Sequence, residues 1–122
     1  MIVGIGTDIV EISRVARACG RGSFWNKVYT AREQELIGEN MSRAAGNFAV
    51  KEAIVKAFGT GFGKIQPVQI EVLRDAAGKP YANLYGAAKQ QAETMEIESI
   101  SVSISNEKEY ALAFAVAEKR EK

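Results

Sequence analysis

The sequence predicts an α+β fold, an antiparallel β-sheet packed with helices, and three observations carry that prediction. Residues 99–105 and 110–117 alternate with the period of two expected of half-buried strands, and the polar segment between them makes a hairpin. Residues 42–58 are Ala-rich and free of proline, the pattern of a long helix. Residues 2–6, Ile-Val-Gly-Ile-Gly, add a short strand at the start.

Taken in order, Ile9, Ile12, Val15 and Ala16 recur at helical spacing after the first strand, and Gly20 and Gly22 stop that helix. Residues 24–29 form an aromatic connection. Thr30 N-caps a short helix, with Glu33 completing a capping box and Gly38 ending it. On the long helix, Val50, Ala53, Ile54, Ala57 and Phe58 share one face, and the glycine-rich run 59–64 terminates it. After Pro67, the alternation of Val68, Ile70 and Val72 predicts a strand; a turn over 75–80 and a short strand over 81–85 follow. Residues 86–96 read as a further helix. In the terminal hairpin, Ile100, Val102 and Ile104 are assigned the same face as Leu112, Phe114 and Val116. The other face then holds Ser99, Ser101, Ser103 and Ser105 with Ala111, Ala113, Ala115 and Ala117, small enough for close approach of a helix or a second subunit. That Ser/Ala face is the candidate subunit contact, and residues 118–122 read as a solvated tail.

Composition narrows the chemistry. The 122 residues carry 16 Lys+Arg against 15 Asp+Glu, one cysteine (Cys19) and no histidine. A single domain over 1–122 is expected at this length. Without histidine there is no Ser-His-Asp triad, zinc HExxH helix or imidazole base, so catalysis must use carboxylates, lysines, hydroxyls, backbone amides or a metal. The lone cysteine excludes an intrachain disulfide and fits a reducing, cytoplasmic setting. Balanced charge gives no field for nucleic acid, and no apolar run is long enough to span a membrane.

Four sets of residues are candidates. Asp8 stands where the first strand hands over to the first helix; with Glu11 it also forms a D-x-x-E capping box, which alone explains both. Glu52 and Lys56 lie at i and i+4, either a surface ion pair or a metal ligand and a phosphate partner; two carboxylates and an ammonium suit Mg²⁺. The run Gly59-Thr60-Gly61 does not have P-loop spacing and follows a helix instead of preceding one. It is either a helix C-cap or a nest of N–H groups against a ligand. Arg14, Arg17 and Arg21 fall at i, i+3 and i+7, a solvated stripe or a docking surface for an acidic partner.

The stretches GIGTDIVEISR (4–14), FAVKEAIVKAFGTG (48–61), GKP (78–80) and SISNEKEYALA (103–113), in this order and spacing, resemble the holo-acyl-carrier-protein synthases, the small single-domain 4'-phosphopantetheinyl transferases. The resemblance implies a phosphopantetheinyl transferase-like fold and a homotrimer with coenzyme A between subunits. It implies Mg²⁺-dependent transfer of the 4'-phosphopantetheine arm of coenzyme A to a serine of acyl carrier protein, releasing adenosine 3',5'-bisphosphate. Asp8 and Glu52 then read as Mg²⁺ ligands and Lys56 as the group that neutralises the leaving phosphate. Gly59, Thr60, Gly61, Lys79, Pro80 and Asn106 would line the coenzyme, and Arg14, Arg17 and Arg21 would dock the carrier protein. Glu52, Glu33 or Glu35 are candidates for the base. Asn47 and Asn106 replace an arginine and a histidine common in relatives, leaving the 3'-phosphate to Lys79, Lys64 or Arg43. The rival readings are a Mg²⁺-dependent nucleotide pyrophosphohydrolase and a non-catalytic carrier-protein-binding module.

Overall fold

Strand β1 (Ile2–Glu11) opens the chain in the computed structural model, which describes residues 1–121. It pairs antiparallel with β5 (Tyr110–Lys119), which pairs on its other side with β4 (Ile97–Asn106), giving a three-stranded sheet in the order β1-β5-β4. Its inner face is built from small residues: Gly4, Gly6 and Asp8 of β1 stand opposite Ala117, Ala115 and Ala113. Helix α4 (Met41–Phe58) lies against that face. A Cβ on Gly4 would fall 1.9 Å from the Ala57 carbonyl oxygen, and one on Gly6 would fall 1.7 Å from that of Ala53. Both glycines are therefore there for close approach of strand and helix.

Helix α4 is buried over nearly its whole circumference. Only one row in its second half reaches the surface: Phe48 and Glu52 are half-buried and Lys56 is exposed. Asn40 caps its start by accepting from Arg43 N, and Gly59, with φ +78°, caps its end. On the far side, β2 (Ile70–Arg74) and β3 (Pro80–Leu84) make a separate antiparallel pair, preceded by a 3₁₀ turn (Pro67–Gln69). Helix α5 (Gly86–Thr94) packs beside this turn and β4. Short helices α1 (Ile12–Cys19), α2 (Gly22–Val28) and α3 (Ala31–Ile37) cover the other end of α4. There Val15, Val28, Tyr29 and Ile37 form a second apolar cluster, and the Tyr29 hydroxyl donates to Ala44 O at 2.7 Å. Truncating a residue as deeply buried as Ile54 costs about 2–5 kcal/mol.

The α+β class and the antiparallel pairing agree with the sequence reading; several details differ. Strand β1 runs to Glu11, so Ile9 and Asp8 are strand residues and the Asp8/Glu11 capping box does not exist; Glu11 itself occupies the N-cap without a side-chain bond. Residues 24–29 are mostly helical, because α2 starts at Gly22. Val68 lies in the 3₁₀ turn, and α5 ends at Thr94, followed by Glu96 at φ +57°. The terminal hairpin has the opposite face assignment. Ser103 pairs with Phe114 and Val102 with Ala115, so Ile100, Val102 and Ile104 share the inner face with the alanines. The alanines meet α4 and are buried, while the serines share the outer face with Leu112, Phe114 and Val116. The turn sets this register: Glu107 N donates to Tyr110 O, and Glu107 Oε1 accepts from Glu109 N and Tyr110 N. Residues 118 and 119 belong to β5 and Arg120 pairs with Glu98, so the expected tail is ordered up to there; Lys122 lies outside the described residues.

Candidate functional site

The inward alternation of β1 turns Asp8 toward α4, and the exposed row of α4 turns Glu52 and Lys56 toward Asp8. Lys56 Nζ donates to Asp8 Oδ1 at 3.1 Å and to the Thr7 carbonyl at 3.0 Å. Burial and then the charge of Asp8 push the Glu52 carboxyl above the usual carboxylate range, with Lys56 pulling the other way. One ammonium thus faces two carboxylates. Asp8 Oδ2 is buried and, among the described residues, has no hydrogen-bond partner. A buried carboxylate oxygen without a donor is costly unless something positive joins it.

These residues fit a hard divalent cation. The donors are all oxygen, and one buried oxygen is left free. Among the described residues no group of three or more His, Cys, Asp or Glu is gathered, so the remaining ligands would be water and substrate oxygens, the pattern of Mg²⁺ with phosphate esters.

A cleft of about 420 Å³ begins beside this site, lined by Val10, Arg14, Arg21, Phe24, Phe48 and Tyr110 among others. Val10 is the next inward residue of β1 after Asp8, and Phe48 stands one helical turn before Glu52. Arg14 and Arg21 line this cleft; Arg17, also exposed, is not among its lining residues. Arg21 lies beyond the end of α1 as the N-cap of α2, so the three arginines are not one helical stripe.

The remaining candidates stand apart from Asp8 in the chain. The N–H groups of Gly59, Thr60 and Gly61 all return to the carbonyls of Val55 and Lys56, which makes this run a helix C-cap and not a nest. Thr60 keeps an exposed hydroxyl that donates to Gly61 O. Lys79 and Pro80 lie at the base of the β2–β3 turn, where Asp75 Oδ1 accepts from Ala77 N and Lys79 N. Asn106 donates to Ser42 O and Oγ at the start of α4. Arg43 donates to Leu36 O. Asn47, which stands in place of an arginine common in relatives, is fully buried and donates to Glu33 Oε2 and Val72 O, so its side chain has no open path to a ligand. Glu33 is sealed in the same network by Lys51 at 2.8 Å, which leaves it no path to a substrate hydroxyl, whereas Glu35 is exposed. Sequence reasoning missed this network and the aromatic cleft wall; the i, i+4, i+8 row of Phe48, Glu52 and Lys56 is the signal that leads to the wall.

The chain that builds this site on an α+β frame matches a known family. Residues 4–115 match the model of the 4'-phosphopantetheinyl transferase superfamily, and the chain belongs to it. A holo-[acyl-carrier-protein] synthase of Lachnoclostridium phytofermentans is 55% identical over 118 residues, covering 97% of each chain. The Helicobacter pylori holo-[acyl-carrier-protein] synthase solved with coenzyme A superposes with a TM-score of 0.85 at 32% identity, over 93% of this chain and 99% of that one. A Bacillus anthracis relative, in complex with coenzyme A (3',5'-ADP), gives a TM-score of 0.82 at 36% identity, over 98% and 99%. Within the superfamily, this chain is a transferase of the holo-acyl-carrier-protein synthase kind.

Proposed function

We propose that this protein transfers the 4'-phosphopantetheine group of coenzyme A to a serine of apo acyl carrier protein and releases adenosine 3',5'-bisphosphate. The observation that carries the reading is the Asp8–Glu52–Lys56 cluster with its partnerless Asp8 oxygen, in a chain whose full length matches synthases of this kind. Asp8 and Glu52 would hold Mg²⁺. Bound there, the ion supplies Lewis-acid polarisation of the pyrophosphate.

The chain's own part is positioning and charge. Lys56, fixed by Thr7 O and Asp8, presents its free hydrogen to the phosphate oxygen on which negative charge grows. Glu52, half-buried on the row of α4 that faces Asp8, is a candidate to take the serine proton. The serine arrives on the partner, along the cleft in which Arg14 and Arg21 meet acidic side chains; Arg17 adds charge outside it. Coenzyme A would run past Gly59, Thr60, Gly61, Lys79, Pro80 and Asn106. With the activity we propose a homotrimer with sites shared between subunits. The outer face of the three-stranded sheet supports it: Ile5 is 62% and Ile9 61% exposed, beside Phe114 at 48%. This face replaces the Ser/Ala surface as the subunit contact. Among the described residues no helix is long and apolar enough to cross a membrane, and a cytoplasmic site of action is proposed with the activity.

Mass spectrometry of apo carrier protein after incubation with coenzyme A, with and without Mg²⁺, tests the reading. The expected result is a phosphopantetheine mass gain only with metal. Free phosphopantetheine formed without carrier protein would instead indicate a hydrolase, and binding with no mass gain a non-catalytic module.

A further inference from the structure

The network around Lys51 ends on the loop that follows α4. Lys51 Nζ donates to Glu33 Oε1 at 2.8 Å, to the Pro67 carbonyl at 3.0 Å and to the Ile70 carbonyl, so all three of its hydrogens are placed. Those two carbonyls bracket the 3₁₀ turn at the far end of the loop 59–66, whose near end is fixed by the α4 C-cap. Between the ends stand Gly59, Gly61 and Gly63, and among the described residues Phe62 to Ile65 donate no backbone–backbone hydrogen bond. Apart from Phe62 and Ile65, which pack on the core, the loop is held by its two ends. It carries Thr60 and Lys64, which with Gln90, Gln91 and Thr94 of α5 line a cleft of about 570 Å³.

We infer that the buried Lys51–Glu33 pair is a positioning device for the far half of this loop and, through it, for Lys64, one of the residues left to hold the coenzyme A 3'-phosphate; the inference rests on the function proposed above. Glu33 is itself fixed, accepting from Asn47 Nδ2 at 3.0 Å and Thr30 N at 3.1 Å. The ammonium therefore has a stationary counter-charge, and its other two hydrogens point at Pro67 and Ile70. An apolar side chain of equal length fills the same volume and holds neither carbonyl.

The test replaces both partners, Glu33→Leu with Lys51→Met, so that neither charge is left buried alone. In the folded double variant the expected result is a KM for coenzyme A raised about tenfold, with kcat within about threefold of the parent and the KM for carrier protein unchanged. Trypsin cleavage after the exposed Lys64 becomes faster, a readout that needs neither substrate nor metal. An unchanged KM for coenzyme A, an equal rise in both KM values, or an unaltered cleavage rate overturns the inference. If the double variant does not fold, Glu33→Gln with Lys51→Gln decides, since it removes both charges and keeps polar side chains of similar size at the same two positions. A rise of about threefold in the coenzyme A KM supports the positioning role, and no rise overturns it. Failure of the unaltered protein to modify carrier protein would defeat the proposed function, while the cleavage comparison would still test the anchor.

Discussion

Helix α4 carries two lysines five residues apart, each bonded to a carboxylate, and their surroundings differ in kind. Lys51 has no exposure, gives every hydrogen to a protein oxygen, and pairs with a carboxylate that is equally enclosed. The Lys56 side chain is 52% exposed and makes two bonds, and its partner Asp8 keeps one buried oxygen with nothing attached. The Lys51–Glu33 pair is closed on itself and holds α3, α4 and the 3₁₀ turn together, although Asn47 Oδ1 beside it is, among the described residues, also buried without a partner. The Lys56–Asp8 pair has bonding capacity left over at the surface, which is what a group that must receive a substrate requires. An enclosed ammonium with every hydrogen placed marks a brace; a half-exposed ammonium with a hydrogen to spare, beside an unsatisfied carboxylate oxygen, marks a site.

The contrast breaks if the two sets respond alike to substitution. The largest effect is expected at Asp8: Asp8→Ala and Glu52→Ala each lower transfer by about 10³-fold or more, measured by carrier-protein mass gain, with the circular dichroism of the fold retained. Next, Lys51→Met leaves Glu33 without its counter-charge in the core and destabilises by about 3–5 kcal/mol in urea unfolding. A similar loss on Lys56→Met would erase the distinction between brace and site. Reversing Arg14 and Arg21 to Glu raises the KM for carrier protein about tenfold and leaves that for coenzyme A unchanged; equal shifts would remove the docking role of the cleft.

The smallest effect has the opposite sign. Glu52 has a folded-state carboxyl raised above its unfolded value, so its ionised form costs stability at neutral pH, and the cost disappears as pH falls and the group protonates. Glu52→Gln without metal therefore raises Tm by about 2–4 °C at pH 7.5, a gain that shrinks toward acidic pH. A Glu52→Gln protein less stable than the parent at neutral pH would mean that this carboxylate also belongs to the brace. If Glu52 holds the metal as proposed, its protonation over the same interval would weaken metal binding as pH falls, beginning at a higher pH than for an ordinary glutamate.

The sequence shows more of the fold's elements than of their relations. The capping box Thr30/Glu33 is present as read, with Glu33 N bonded to Thr30 Oγ1 and Thr30 N to Glu33 Oε1, because its four residues are contiguous and local chemistry decides them. Alternation likewise locates β4 and β5, but it does not say which residue of one opposes which of the other; the three-residue turn 107–109 decides, and one step exchanges the faces. Asp8 and Glu52 are legible as residues of a motif. Their facing across β1 and α4 is a tertiary fact, as is the difference between Lys51 and Lys56, which one helical pattern cannot separate. Asn47 is the clearest loss: in the sequence it reads only as a replacement for an arginine common in relatives, yet its partners are 14 and 25 residues away in the interior.

Gly4 and Gly6 act as a ruler. With no side chain on either, the gap between strand and helix is set by backbone against backbone, and Asp8, two residues further along β1, inherits that gap as its distance to Lys56 and Glu52. A single methyl at Gly6, 1.7 Å from the Ala53 carbonyl, would force the helix to retreat by more than an ångström, a displacement that can cost about 10²-fold in rate without altering any charged group. Anyone transplanting the acidic pair and its lysine into another scaffold would have to copy the two glycines before the three charged residues whose spacing they set.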